Sequence, residues 1–97
     1  MLEKNIERRF VNGIRTLGGK AYKLNCSGNS GMPDRIVILP GGKIMFVELK
    51  TDYGKLTAFQ EMRIKELCKL GAKVWLLSGM QEVENFLNRI REKPHEI

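Results

Sequence analysis

Apolar residues at the start of the chain recur at spacings of three and four, which is the pattern of one helix face. Gly18-Gly19 follows this pattern, and glycines are common where helices end. We therefore expect a helix over residues 2–17. Its apolar face consists of Leu2, Ile6, Phe10, Ile14 and Leu17.

Patterns typical of strands follow the first predicted helix. Residues 20–24 alternate weakly, as an edge strand could, whereas residues 25–32 have the composition of a loop. The apolar runs 35–39 and 43–50 flank Pro40-Gly41-Gly42 and predict a β-hairpin. Both arms are nearly continuous in apolar residues, which is typical of strands covered on both faces.

Helix and strand signals alternate in the second half of the chain. Thr57 and Gln60 have the spacing of a capping box and predict a helix that stops at Gly71. Cys68 lies on an apolar stripe of this helix, so we expect it in the core. Residues 74–77 are typical of a short buried strand.

Ser78 and Gln81 repeat the capping-box spacing and predict a last helix. Residues 92–97 are expected to form a frayed tail. The chain is thus predicted to be one α/β domain over residues 1–97, in the order α-β-β-β-α-β-α. Residues 43–77 form a βαβ unit, which predicts two parallel strands in a mixed sheet flanked by helices. The apolar face of the last helix contains Val83, Phe86, Leu87 and Ile90.

Charge and composition narrow the expected partners. Lys and Arg number 17 against 11 Asp and Glu, which gives a net charge of +6. This balance suits nucleic acid or an acidic membrane, although it also serves solubility alone. The chain has no apolar run of bilayer length and no signal-peptide core, so we expect a cytoplasmic protein without a membrane partner. Cys26, Cys68 and His95 form no pattern of a structural zinc site.

Two carboxylates are predicted to meet at one end of the hairpin. Glu48 and Lys50 alternate with Val47 and Leu49, so they share one face of their strand. The hairpin folds Asp34 back beside Glu48, and carboxylates this close repel each other unless a cation lies between them. Mg²⁺ characteristically takes one or two carboxylates and keeps several waters. Lys50 would then stabilise the developing charge on a phosphate or orient the attacking water.

A plainer interpretation remains open for each residue. Glu48 and Lys50 could form an ordinary surface ion pair, and Asp34 could cap the turn after Pro33. The order Pro33-Asp34, hairpin, Glu48-x-Lys50 is more specific than either motif alone, and it favours the metal site.

These motifs resemble the PD-(D/E)xK nucleases, a family with a restriction-endonuclease-like core. Further motifs resemble its virus-type replication-repair nuclease (VRR-NUC) branch over residues 3–80. The resemblance implies an α/β nuclease fold, phosphodiester hydrolysis with Mg²⁺ or Mn²⁺, no small-molecule cofactor, and a homodimer similar to Holliday-junction resolvases. The motifs are Gly18-Gly19-x-Ala21-Tyr22-Lys23, Gly31-x-Pro33-Asp34-Arg35, Pro40-Gly41-Gly42, Phe46-Val47-Glu48-Leu49-Lys50 and Leu56-Thr57-x-x-Gln60.

The resemblance also implies roles beyond Asp34, Glu48 and Lys50. Glu7 matches a carboxylate that helps to hold the metal, although Glu3 lies one turn earlier on the same side. The Leu49 carbonyl would be an extra ligand. Gln60 matches a glutamine near the site, and its capping-box role is a competing interpretation that can hold at the same time. A solvated helix glutamate is the competing interpretation for Glu7.

Five residues are candidates for contacts with nucleic acid. Lys23 matches a family lysine, although edge-strand lysines also serve solubility. Tyr53 and Lys55 lie in the loop that follows the Glu48–Lys50 strand, where an exposed loop without a ligand is the alternative. Ser27 and Arg35, in and just after the 25–32 loop, complete the set.

The predicted function is cleavage of DNA at four-way (Holliday) junctions or other branches by a metal-dependent endonuclease. Two alternatives remain. The chain could be a nuclease for RNA or for a recognised duplex sequence, because the motifs concern only the phosphodiester. It could also be a DNA-binding module without catalysis, against which the intact Asp34, Glu48 and Lys50 argue.

Overall fold

The elements follow the predicted order in the computed structural model, which describes residues 2–97. Each strand and helix lies within a few residues of its predicted position. The helices are α1 (Glu3–Thr16), α2 (Ala58–Lys69) and α3 (Gly79–Glu92), and the strands are β1 (Lys20–Lys23), β2 (Arg35–Leu39), β3 (Lys43–Lys50) and β4 (Val74–Ser78).

The four strands form one mixed sheet in the order β1-β2-β3-β4. β1, β2 and β3 are antiparallel neighbours, and β4 lies parallel to β3, as the βαβ unit predicts. The β2–β3 turn requires left-handed backbone at Gly41 and Gly42, where φ is 88° and 78°. The resulting register pairs Arg35 with Val47 and so places Asp34 beside the end of β3.

The hydrophobic core lies on one side of the sheet, beneath α1 and α3. The two helices pack closely, because a Cβ added at Gly13 would lie 2.4 Å from the Leu87 side chain. Phe10 and Phe86 stack with ring centroids 6.1 Å apart. Burying each large apolar side chain stabilises the fold by about 1.5–3 kcal/mol. The core consists of Ile6, Phe10, Ile14, Val37, Leu39, Met45, Val47, Leu49, Leu77, Val83, Phe86, Leu87, Ile90 and Ile97.

The other side of the sheet is much less covered. Among the helices of residues 2–97, only α2 lies on this side, packed against β4, and none of its residues is buried. Ile38 is 37% exposed and Ile44 is 55% exposed. The prediction that both faces of the hairpin are covered is therefore wrong for this face, because the crossover helix lies over β4 and leaves β2 and β3 open.

Two further details of the sequence prediction are wrong. Cys68 is exposed, because α2 buries no residue against the sheet. The Ser78 side chain makes no capping hydrogen bond, and Glu82, rather than Gln81, accepts the Ser78 N–H at 2.9 Å. Gly79 begins α3 with φ of 86°, so the chain enters the helix with a geometry unlike that of a capping box.

The C-terminal residues are ordered rather than frayed. α3 continues to Glu92, and Pro94–Glu96 form a short 3₁₀ helix. Ile97 is only 3% exposed and joins the core, while Lys73 donates to its carbonyl at 2.8 Å. Burial of this last apolar side chain explains the order. Within residues 2–97, no helix combines the length and apolarity needed to cross a bilayer.

Candidate active site

The hairpin register brings Asp34 and Glu48 into direct contact. The Asp34 N–H donates to Glu48 Oε1 at 3.1 Å, and the Leu49 N–H donates to Asp34 Oδ2 at 3.0 Å. Each carboxylate is therefore oriented by a backbone donor of the other strand. The second oxygen of each carboxylate remains for other partners.

The loop before Asp34 is held against the start of α2. Gly31 has φ of 87°, and a Cβ there would lie 2.4 Å from the Phe59 backbone, so only glycine fits. Arg63 Nε of α2 donates to the Ser30 carbonyl at 2.9 Å, which also holds this loop against α2. Pro33 is buried next to it. These contacts fix the backbone that carries Asp34.

Glu48 is a buried acidic side chain, only 2% exposed. Burial disfavours its charged form, and the nearby Asp34 carboxylate disfavours it further. Lys50 acts in the opposite direction but does not compensate, and the pKa of Glu48 rises to about 7. A carboxylate in this state gains from a neighbouring cation.

Lys50 and Gln60 contact the remaining oxygen of Glu48. Lys50 Nζ lies 3.4 Å from Glu48 Oε2, and its side chain is 17% exposed. Gln60 Nε2 donates to the same oxygen at 3.1 Å. The Gln60 carbonyl oxygen accepts the Thr57 N–H at 2.9 Å, while the Thr57 hydroxyl accepts the Gln60 N–H at 3.1 Å. Gln60 thus has both roles that the sequence left open: it closes the capping box of α2 and contacts the site.

The donors at this site suit a hard divalent cation. Two carboxylates and the adjacent Leu49 carbonyl are oxygen ligands of the kind that Mg²⁺ and Mn²⁺ prefer. No three acidic, histidine or cysteine side chains cluster as metal ligands anywhere in residues 2–97. Two carboxylates are nevertheless sufficient for Mg²⁺, which completes its coordination with water. The residues therefore fit the metal.

Glu7 forms no hydrogen bond with the carboxylate pair among residues 2–97. It is half-buried on α1, and Glu3 is exposed one turn earlier. None of the hydrogen bonds among residues 2–97 joins either glutamate to Asp34 or Glu48.

The five candidate nucleic-acid contacts differ in their exposure to solvent. Lys23, Ser27 and Lys55 are exposed, and Tyr53 is 94% exposed at a turn closed by the Gly54 N–H on the Thr51 carbonyl at 3.1 Å. Arg35 is half-buried. Its Nη1 donates to the Ala21 carbonyl at 3.4 Å, and its Nε is buried without a partner among the described residues.

Sequence reasoning missed two features that position the site. One is the Arg63–Ser30 hydrogen bond, and the other is the contact of Gly31 with the Phe59 backbone. Both join residues about 30 positions apart in the sequence. Neither has a local sequence signal, although Gly31 is part of the motif around Asp34.

Comparisons with known proteins identify the family of this chain. The model of the VRR-NUC domain family matches residues 5–81. "Putative nuclease p44" of Acyrthosiphon pisum secondary endosymbiont phage 1 is 41% identical over 85 residues, which cover 88% of this chain and 90% of the relative. A solved structure described as a VRR_NUC domain is 32% identical with a TM-score of 0.81, covering 94% of this chain and 96% of the other. This chain belongs to the VRR-NUC family and is a nuclease domain.

Proposed function

We propose that this nuclease is a Mg²⁺- or Mn²⁺-dependent endonuclease that cleaves branched DNA, foremost four-way junctions, as a homodimer in the cytoplasm. The observation that carries the catalytic part is the contact between Asp34 and Glu48, with Lys50 Nζ 3.4 Å from the same glutamate. Burial and the nearby Asp34 carboxylate make the charged form of Glu48 unfavourable unless a cation or a proton neutralises it. A metal-dependent hydrolase explains the arrangement.

In this proposal Asp34, Glu48 and the Leu49 carbonyl hold the metal, and Glu7 is linked to it directly or through water. Bound there, the metal supplies Lewis-acid activation of water and neutralises charge on the phosphate. Gln60 keeps the Glu48 carboxylate in place through its 3.1 Å hydrogen bond. Asp34 is kept in place by the Leu49 N–H.

Lys50 acts on the reacting groups themselves. Its ammonium lies beside Glu48 and remains partly exposed, so it can reach both the site and an incoming phosphate. It places positive charge where negative charge develops in the transition state, and it helps to orient the attacking water. It also favours the charged form of Glu48, because its positive charge lowers the pKa that burial and Asp34 raise.

DNA is bound in this proposal mainly through phosphate contacts. The net charge of +6 provides the attraction. Tyr53, which is 94% exposed, is assigned to stack on an unpaired base at a branch point. The phosphate contacts are assigned to Lys23, Ser27, Arg35 and Lys55.

A substrate panel tests the proposal. Four-way junction, flap, single-stranded, duplex and RNA substrates are incubated with Mg²⁺, with Mn²⁺ or with EDTA. We expect metal-dependent cleavage with the four-way junction cut fastest, and loss of cleavage in Glu48→Gln. Glu61→Gln, an exposed glutamate on α2, is the matched control and should cut like the wild type. Equal cutting of junction and duplex would contradict the branch selectivity, and preferred cutting of RNA would contradict the choice of DNA.

A further inference from the structure

Basic side chains are concentrated at one edge of the molecule. Residues 3–23, which form α1 and β1, contain six basic and two acidic residues, whereas residues 79–97, which include α3, contain three basic and four acidic residues. α1 packs against β1 and α3 packs against β4, so the helical layer is positive at its β1 edge and slightly negative on the other side. A surface charged for solubility alone carries both signs interspersed, whereas an uneven charge directs a charged ligand.

Three of these basic side chains form a row along α1. Lys4, Arg8 and Arg15 are spaced by four and seven residues, which places them on one narrow face of a helix. All three are exposed. The row lies away from α3, since the side of α1 that contacts α3 is marked by Arg9 and Gly13. At 1.5 Å per residue the row is about 17 Å long.

The cations of this row lack the acidic partner that their neighbour Arg9 has. Arg9 forms an ion pair with Glu84 of α3, and its Nη2 donates to Glu84 Oε1 at 2.8 Å. None of the ion pairs among residues 2–97 involves a residue of the row. Arg15 donates to the neutral Asn12 side chain at 2.9 Å and keeps its charge. The positive charge of the row is therefore available to an external anion.

Lys23 joins the row to the candidate active site. It pairs with Arg35, which pairs with the core residue Val47, so Lys23 lies on the side of the sheet that α1 covers. The next residue, Leu24, donates its N–H to the Asp34 carbonyl at 2.9 Å. Lys23 therefore lies next to the strand end that carries Asp34. We call the row together with Lys23 the basic flank.

We propose that the basic flank binds the phosphates of a duplex arm of the DNA substrate, beside the point of cleavage. The inference rests on the DNA cleavage proposed above and adds a second contact surface to it. Phosphates follow each strand of a duplex at one per 3.4 Å of helix axis, so a row about 17 Å long extends along about five base pairs. Cations spread over this length suit a stretch of DNA backbone better than one small anion.

Unpaired bases and membranes suit this surface less well. Proteins hold single strands with aromatic side chains on which bases stack, and the basic flank contains none. Tyr22 of β1 precedes Lys23 and so lies on the opposite face of the sheet. A helix that binds membranes inserts its apolar face, whereas α1 buries Ile6, Phe10 and Ile14 of that face in the core.

Paired substitutions test the inference through DNA binding in EDTA. The double variant Arg8→Ala, Arg15→Ala should raise the dissociation constant for a long-armed four-way junction at least about 10-fold near about 100 mM salt. The slope of log affinity against log salt should fall by about 1.8, because each lost phosphate contact contributes about 0.9. Lys65→Ala, Lys69→Ala removes the same charge from the exposed side of α2 and is the matched control, with a change below about twofold. Equal losses in the two double variants would overturn the inference, since net charge alone would then explain binding.

A second variant and a second substrate complete the binding test. Lys4→Ala, Arg8→Ala should show the same loss of affinity, which covers the case that the first variant does not fold. The loss should be greater for a plain duplex than for a single strand of the same length. Equal losses for both substrates would overturn the assignment of the basic flank to a duplex arm.

Vesicles of acidic lipid distinguish DNA from a membrane as the partner. Vesicle binding that is lost in the Arg8→Ala, Arg15→Ala variant, while its DNA affinity stays unchanged, would identify a membrane contact and overturn the inference. Because the DNA titrations are made in EDTA, they do not depend on cleavage. Absence of metal-dependent cleavage by the wild type would overturn the proposed function and leave the binding comparison valid.

Discussion

At the scale of single residues, the chemistry depends on how one buried glutamate is neutralised. Glu48 is 2% exposed and lies against Asp34, Lys50 and Gln60, each of which contacts one of its oxygens. Lys50 is the only cation among the three. The roles of Glu48 and Lys50 can therefore be separated by measurements that respond to charge.

Replacing Lys50 by alanine should separate catalysis from binding. We expect cleavage to fall at least about 100-fold, because a group that stabilises the transition state is removed. DNA affinity should change less than about threefold, because many phosphate contacts share it. Single-turnover cleavage and fluorescence anisotropy measure the two effects, and Lys65→Ala on the exposed side of α2 is the control. Wild-type cleavage by Lys50→Ala would refute the role of this residue.

The raised pKa of Glu48 predicts a pH dependence with a definite sign. The folded protein retains a proton on Glu48 between pH 4.5 and about 7, whereas the unfolded chain has released it. The contribution of Glu48 to metal-free stability therefore decreases as pH rises through this interval. Relative to Glu48→Gln in EDTA, the wild type should lose thermal stability between pH 5 and pH 8. A constant difference between the two unfolding temperatures would contradict the assignment.

Metal affinity should increase as pH rises, whereas the metal-free stability decreases. A cation competes with the proton on Glu48, so apparent Mn²⁺ affinity should rise with pH through about 7. Calorimetric titration at several pH values measures this change. An affinity that is independent of pH would mean that the metal does not displace this proton.

At the scale of elements, the site depends on a loop that fits closely against α2. Gly31→Ala would add a Cβ 2.4 Å from the Phe59 backbone at a residue with φ of 87°. We expect a loss of about 1–3 kcal/mol in the free energy of unfolding and reduced cleavage, because the loop carries Asp34. Gly28→Ala is the matched control, since Gly28 has φ of 79° but open space around it. Equal effects of the two substitutions, measured by urea unfolding, would show that the contact with α2 does not matter.

Local patterns were sufficient to predict most of these elements. Helical periodicity located α1 and α3, and the Pro40–Gly42 turn predicted the hairpin whose register joins Asp34 to Glu48. The α2 capping box also formed as predicted, whereas the one at Ser78 did not, because Gly79 adopts a positive φ. The position of α2 over β4 is set by tertiary packing, so the exposure of Cys68, Ile38 and Ile44 had no signal in the local pattern.

At the scale of the whole molecule, the proposed dimer would combine the charge of two chains. A dimer would carry about twice the +6 of one chain and would present it to several arms of a branched substrate. DNA binding should therefore weaken steeply with salt, because contacts of Lys and Arg with phosphates release counterions. Anisotropy titrations from about 50 to 200 mM salt measure the slope of log affinity against log salt. An affinity that does not change with salt would contradict binding through phosphate contacts.

Asp34 and Glu48 together are proposed to hold a divalent cation. The most direct measurement is the anomalous signal of Mn²⁺ in crystals soaked near pH 8, above the raised pKa of Glu48. We expect a peak within coordination distance of both carboxylates and of the Leu49 carbonyl, and no peak in crystals of Glu48→Gln. No peak between Asp34 and Glu48 in the wild type, or an unchanged peak in the variant, would contradict the account.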